Sequence, residues 1–432
     1  MYTGDHRMKK VFVAMTFLLT AVNFAEALPS KYDLRDYGRI TSVKNQGIPG
    51  PCWAFAALGA MESNWLTQNL GKTPDLSEMQ IAFYSYRDPK KSRNFTSRIK
   101  SGTLSLEGNV FMPAALMSRL SGPTDEKNLT YSTSIPDAKR KELSRKAPEK
   151  FRRSMRLREA YFLSGTGTLD DSAKKSLIMN HGAIIVSIYN DIGNYCLRDG
   201  NWTYYDTSHG KTTNHDVLLA GWNDDFPREN FSPKPSRNGA WLVKNSLGPS
   251  GYFWMSYEQH TKGGAAFIVE RNNQRLKHYG YDDLGFCRAL KYSRGANVFK
   301  VSGKSESLRE IAFYTLSNNS EYEVSVYFHG KGKPSRPVDG KLVATLKGVQ
   351  EYAGYHTVSL PENFTLKEGE YFSVILRLAG GYMPVETKSK GYSENAEVNA
   401  GESYFSADGV NWTDGANIGA NVCVKAFTVS RI

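Results

Sequence analysis

The segment Gln46-Gly47-Ile48-Pro49-Gly50-Pro51-Cys52-Trp53-Ala54-Phe55 places a thiol between a Gly/Pro loop and a long apolar run. Such a loop breaks any upstream helix, and Pro51 suits a helix entrance because its missing N–H costs nothing there. From Trp53 to Leu66 the chain is apolar on most of the surface a helix would have. The pattern predicts a helix buried in the middle of a domain. Cys52 then stands at the positive end of that helix, at the inner end of a cleft, where a thiol is biased toward thiolate. Its alternative is an inert buried thiol acting as a small hydrophobe.

Downstream residues decide between the two. Asn214-His215-Asp216-Val217-Leu218-Leu219-Ala220-Gly221-Trp222 reads as a His entering an apolar strand, and Gly239-Ala240-Trp241-Leu242-Val243-Lys244-Asn245-Ser246 as a strand ending in Asn. Thiol, imidazole and amide follow in that chain order, and the local sequences resemble those of the papain-like cysteine peptidases. Leu28-Pro29-Ser30-Lys31-Tyr32-Asp33 resembles the usual mature start, Leu76-Ser77-Glu78-Met79-Gln80 the segment after the central helix, and Gly251-Tyr252-Phe253 completes the Asn motif. The resemblance covers about residues 28 to 260. It implies Cys52 as nucleophile, His215 as acid and base, Asn245 as the group orienting the imidazole, and Gln46 as an oxyanion donor. It also implies that Gly108 lines the substrate cleft and that Asp216 faces the pocket for the second residue upstream of the cut. For Gly108 the plain alternative is a turn glycine, and for Asp216 a hydrogen bond inside the protein.

The sequence departs from the family in places. Pro49 stands where the family has a bridged cysteine, and Leu247 where it has a Trp over the His and Asn. His215 follows Cys52 by 163 residues, against roughly 130 to 150 in the usual signature, so insertions are expected between them.

At the N-terminus, Met8-Lys9-Lys10, the apolar run Val11 to Val22 and Ala25-Glu26-Ala27 have the three regions of a secretory signal peptide. Cleavage after Ala27 is expected, which puts the mature chain outside the cytoplasm, at the cell surface, in the periplasm or in the medium. The apolar run falls short of the roughly 20 residues a membrane anchor needs. That cleavage would leave no room for an inhibitory prosegment, unless upstream sequence is missing. With Cys52 assigned, Cys196, Cys287 and Cys423 remain. A Cys287 to Cys423 bridge and free buried thiols both stay open.

The net charge of +12 is concentrated in Lys139 to Arg158, where ten Lys and Arg residues face Glu142 and Glu149. The first reading of this run is a solvated helix face, with contact to an acidic polymer or a membrane surface as alternatives. No nucleic-acid-binding pattern accompanies it, so nucleic acid is not an expected partner. No cofactor or metal is expected.

Residues 28 to about 135 are biased to helix and about 160 to 272 to strand, with Ala183 to Tyr189 as an interior strand. Beyond 273 the chain alternates in short runs such as Tyr322 to Phe328 and Tyr371 to Leu378. That texture reads as an antiparallel sandwich, and it resembles the lectin-like domain appended to bacterial surface cysteine peptidases. The expected architecture is α+β: a signal peptide (1–27), a two-lobed papain-like domain with a helical lobe and a β-barrel-like lobe (28–272), and an all-β sandwich (273–432). The function expected is a secreted endopeptidase acting on polypeptides, with a carbohydrate or cell-surface ligand as the partner class implied for the sandwich. The alternatives are an exopeptidase whose cleft is blocked by the insertion carrying the basic run, and a non-catalytic binding protein.

Overall fold

A computed structural model describes residues 28–88, 93–94, 107–163, 169–208 and 212–431. The expected signal peptide lies outside the described residues. The apolar run forms the helix α1, Cys52–Thr67, buried from Cys52 to Trp65. It lies against the strand His215–Asn223, and Gly59 makes that approach possible: a Cβ there would sit 2.6 Å from the Leu218 side chain. Glycine within a helix costs about 1 kcal/mol relative to alanine, so close packing is the reason for it here. A second helix, Glu78–Tyr84, starts at Ser77, whose Oγ accepts from the Gln80 N–H at 3.2 Å.

The strand-biased half forms the second lobe. Ile184–Ile188 is an interior strand between His215–Asn223 and Thr261–Arg271. Its β-branched residues are buried on both faces, which explains the unbroken apolar run.

The C-terminal part is not a separate sandwich hung on a linker. A thirteen-stranded sheet runs through both parts of the chain. Its bridge is the strand Met155–Phe162, which pairs on one side with Thr261–Arg271 and on the other with Gly354–Lys367, Gly354 opposite Tyr161 and Tyr355 opposite Ala160. A six-stranded sheet covers the far end of this sheet and completes the sandwich. Phe299, Val324, Phe372 and Val374 meet Leu308, Ile311, Phe313 and Val424 in its core. Ala312, Tyr314, Tyr355 and Phe427 belong instead to the same apolar cluster as Trp53 and Phe162, so the two parts share a core.

The basic run divides between two roles. The helix Asp137–Arg145 is solvated as expected, with Lys139 paired to Glu142 and Arg140 to Asp137. Arg153 and Arg156 are buried. Arg156 pairs with Glu270 and, at 2.7 Å, with Glu310, while Arg158 reaches Glu310 at 3.1 Å. Arg156 and Arg158 are two apart on one strand and so share a face, which points them at the seam between the two parts of the chain. Pro49 has no thiol to offer a bridge, and all four cysteines are free.

Removing one partner of a buried ion pair strands the other charge, at a cost of about 3 kcal/mol. Glu310→Gln should therefore lower the urea midpoint by that amount of stability. An unchanged midpoint would show that Glu270 alone satisfies Arg156.

Candidate active site

Cys52 is the first residue of α1, and Pro51 caps the helix without a side-chain hydrogen bond. The first N–H groups of a helix lack internal partners, and those of Cys52 and Trp53 favour a charged sulfur. Burial nevertheless pushes the thiol up to about 12, and the neighbouring Asp216 carboxylate adds to the rise. The helix end biases the group toward thiolate, but removal from water outweighs it in the unliganded site.

His215 opens its strand and Asn245 follows the strand Ala240–Lys244, which brings the two side chains together. His215 Nε2 lies 2.8 Å from Asn245 Oδ1. The amide's orientation is set by the backbone, since Oδ1 also accepts from Ser246 N at 2.9 Å and Leu247 N at 3.3 Å. The carbonyl of Leu247 accepts from Asn245 Nδ2. An oxygen held by those donors requires Nε2 to carry the imidazole proton, which leaves Nδ1 as the base. Burial lowers the His215 pKa, opposed by the bond to Asn245.

Cys52, His215, Asp216 and Gly108 all face one cleft of about 630 Å³. A smaller recess of about 130 Å³ shares Cys52 and His215 and adds Gln46, Asn190 and Leu247. Gln46 is fully buried. Its Oε1 accepts from Ser246 Oγ at 2.8 Å and its Nε2 donates to Ile48 O at 2.8 Å, which leaves one Nε2 hydrogen for a further acceptor. Gly108 is required by packing as well as by the cleft, because a Cβ there would meet the Trp53 ring at 2.4 Å. Asp216 accepts from Ser187 Oγ at 2.5 Å, and burial pushes its carboxyl up to about 6. It has the local hydrogen bond of the plain alternative and an outlook on the cleft at once.

A largely buried charge network lies behind Asn245. Lys44 Nζ sits 2.7 Å from Asp75, 2.9 Å from Glu78 and 3.6 Å from Glu62. Thr41 Oγ1 donates to Glu62 at 2.6 Å and accepts from Lys244 Nζ at 3.1 Å. Burial pushes Glu78 up to about 8 and Lys244 down to about 8. The network ties α1 and the following helix to the strand that presents Asn245. Glu62, an acid within the apolar run of α1, was the signal in the sequence. Among the described residues no group of three or more His, Cys, Asp or Glu side chains could hold a metal ion.

Comparison with known proteins bears on the family and the fold. The family described as Lectin like domain matches residues 278–428. Two structures of the clostridial cysteine protease Cwp84 share the fold. One, after propeptide cleavage, has 24% identity over 93% of this chain and 100% of that chain, with a TM-score of 0.77. The other, from Clostridium difficile, contains the cysteine protease and lectin-like domains of a surface layer associated protein, at 23% identity over 93% and 89% with a TM-score of 0.76. Curated relatives include a viral cathepsin of Mamestra configurata nucleopolyhedrovirus, 26% identical over 51% of this chain and 53% of its own length. Cathepsin S of Bos taurus is 28% identical over 56% and 64%. The chain thus spans about half to two thirds of the length of these relatives. The family described as Papain family cysteine protease matches residues 28–270, more than half of the sequence, and the chain belongs to that family.

Proposed function

We propose that the protein is a cysteine endopeptidase that hydrolyses polypeptides through Cys52, His215 and Asn245, with Gln46 in the oxyanion site. The observation that carries this reading is the His215 to Asn245 hydrogen bond of 2.8 Å on the cleft that also holds the Cys52 thiol. His215 Nδ1 takes the thiol proton as sulfur attacks the peptide carbonyl, and the imidazolium returns it to the leaving amine. Water then attacks the acyl-enzyme with the same base. Burial disfavours either charge alone, whereas a proton passed from Cys52 to His215 creates both charges together as an ion pair. The free Nε2 hydrogen of Gln46 and the Cys52 N–H receive the oxyanion.

Thr212 and Thr213 line the cleft together with Glu107 to Asn109, and cleavage within a chain is the action proposed for it. The basic run that could have closed one end is committed in part to the domain seam. A secreted or surface location is supported by the sequence pattern of residues 1–27 and by the description of the similar clostridial protein as surface layer associated. No helix among the described residues is long and apolar enough to cross a membrane. The lectin-like match supports a carbohydrate or cell-surface ligand for the C-terminal domain.

Cys52→Ala should abolish hydrolysis of an unfolded protein while leaving the circular dichroism spectrum unchanged. Gln46→Ala should cut kcat by about 100- to 1000-fold, as loss of one oxyanion donor does. A Cys52→Ala protein that still digests the substrate would end the assignment, and digestion that trims only chain ends would replace endopeptidase by exopeptidase. A carboxylate near a thiol disfavours the thiolate, so Asp216→Asn should move the alkylation profile of Cys52, followed by peptide mass, to lower pH. A midpoint that stays or rises would show that burial alone raises the thiol. Intact-mass analysis of exported protein should give a chain starting at Leu28 or within a few residues of it; retention of residues 1–27 would refute the signal-peptide reading.

A further inference from the structure

A second recess, of about 440 Å³, adjoins the catalytic cleft, and Glu107, Gly108 and Asn109 line both. Its near wall is Tyr86 and Phe111 of the peptidase part, and its far wall is Phe286, Ser389, Lys390 and Tyr392 of the lectin-like part. We propose that the lectin-like domain builds a substrate subsite: this recess takes an aromatic side chain of the polypeptide, three or more residues upstream of the cut. The proposal rests on the peptidase reading, which supplies the direction of the bound chain.

The chemistry of the walls selects the side chain. Phe111 and Phe286 meet at 6.1 Å with their planes at 70°, an edge-to-face pair formed across the two parts of the chain. Tyr86 stands beside them, edge-on to Trp53 at 6.3 Å. Rings so placed offer both faces and edges to a further aromatic ring. The volume falls within the range of ligand-sized pockets, roughly 300 to 1000 Å³. Lys390 is exposed, and Asn109 and Ser389 add polar groups beside the rings.

The far wall is held in place before anything binds. Tyr392 donates its hydroxyl to Leu284 O at 3.2 Å, and Leu284 N donates to Glu386 at 2.7 Å. Tyr392 N and Ser393 N both return to Ser389 O, at 3.1 and 3.0 Å. Arg119, from the peptidase part, donates to Asp283 O and fastens this corner to the helical lobe. A wall fixed in this way loses little freedom when substrate is seated.

The test uses the full chain carrying Cys52→Ala, with peptides that end in the same two residues before the scissile bond. One is short, and the others extend upstream with Phe or Ala scanned over the added positions. Affinity is measured by titration calorimetry, and kcat/KM is measured in parallel with intact Cys52. At one upstream position the Phe peptide should bind about tenfold or more tighter than its Ala counterpart, as burial of a full aromatic side chain implies. Phe286→Ala should bring that ratio to within about twofold while leaving the short peptide's affinity unchanged. Ser389→Trp, which fills the recess and spares the Phe111 contact, should do the same. A Phe to Ala ratio near one at every position, or a ratio that survives both substitutions, overturns the subsite. Absence of hydrolysis with intact Cys52 would instead defeat the peptidase reading, and the binding ratios would still decide the subsite.

Discussion

The strand Met155–Phe162 is the constraint on which the rest of the molecule depends. It is hydrogen-bonded to Thr261–Arg271 of the peptidase part on one edge and to Gly354–Lys367 of the sandwich on the other. At Ala160 and Tyr161 the strand has partners on both edges, so separating the two parts would expose the backbone groups paired there. Arg156 links the two sides of the same seam, its buried guanidinium meeting carboxylates from both. Glu270 and Glu310 come from opposite sides of that seam.

This rigid joint has a consequence for the cleft. In a chain whose binding domain swings on a linker, that domain would add only local concentration to catalysis. Here the corner carrying Phe286 and Tyr392 is packed beside Gly108, and the two parts of the chain together wall the recess next to the cleft. Gly108 sits where both demands meet. It has no side chain because Trp53 occupies that space, and it lines both recesses.

At Cys52 and His215 the balance is between a dipole and desolvation. The start of α1 favours negative sulfur, yet Cys52 is buried and has the Asp216 carboxylate for a neighbour. Burial wins for the unliganded thiol and also disfavours the imidazolium of His215. Each shift alone opposes charge, but a proton passed from one group to the other creates both charges together. The network of Lys44, Glu62, Glu78 and Lys244 does a different job. Its charges are compensated internally, and it fixes the position of the strand end from which Asn245 reaches His215.

The sequence by itself determined the local elements and the order of thiol, imidazole and amide along the chain. An apolar run after a Gly/Pro loop reads as a buried helix, and α1 begins at Cys52 as that pattern predicts. Strands entered at His215 and left before Asn245 were legible for the same reason, since alternation and burial are written in adjacent residues. Contacts between residues far apart in the chain were not legible. The basic run looked like one solvated face, because charge patterning cannot show that Arg156 and Arg158 meet Glu310, about 150 residues away, across a seam. The balance at Cys52 was likewise out of reach, for a helix end is visible in sequence while the depth of burial is a property of everything packed around it. Only the tertiary structure could decide that the second domain continues the first one's sheet, because strand pairing joins backbones and leaves little mark on side-chain identity.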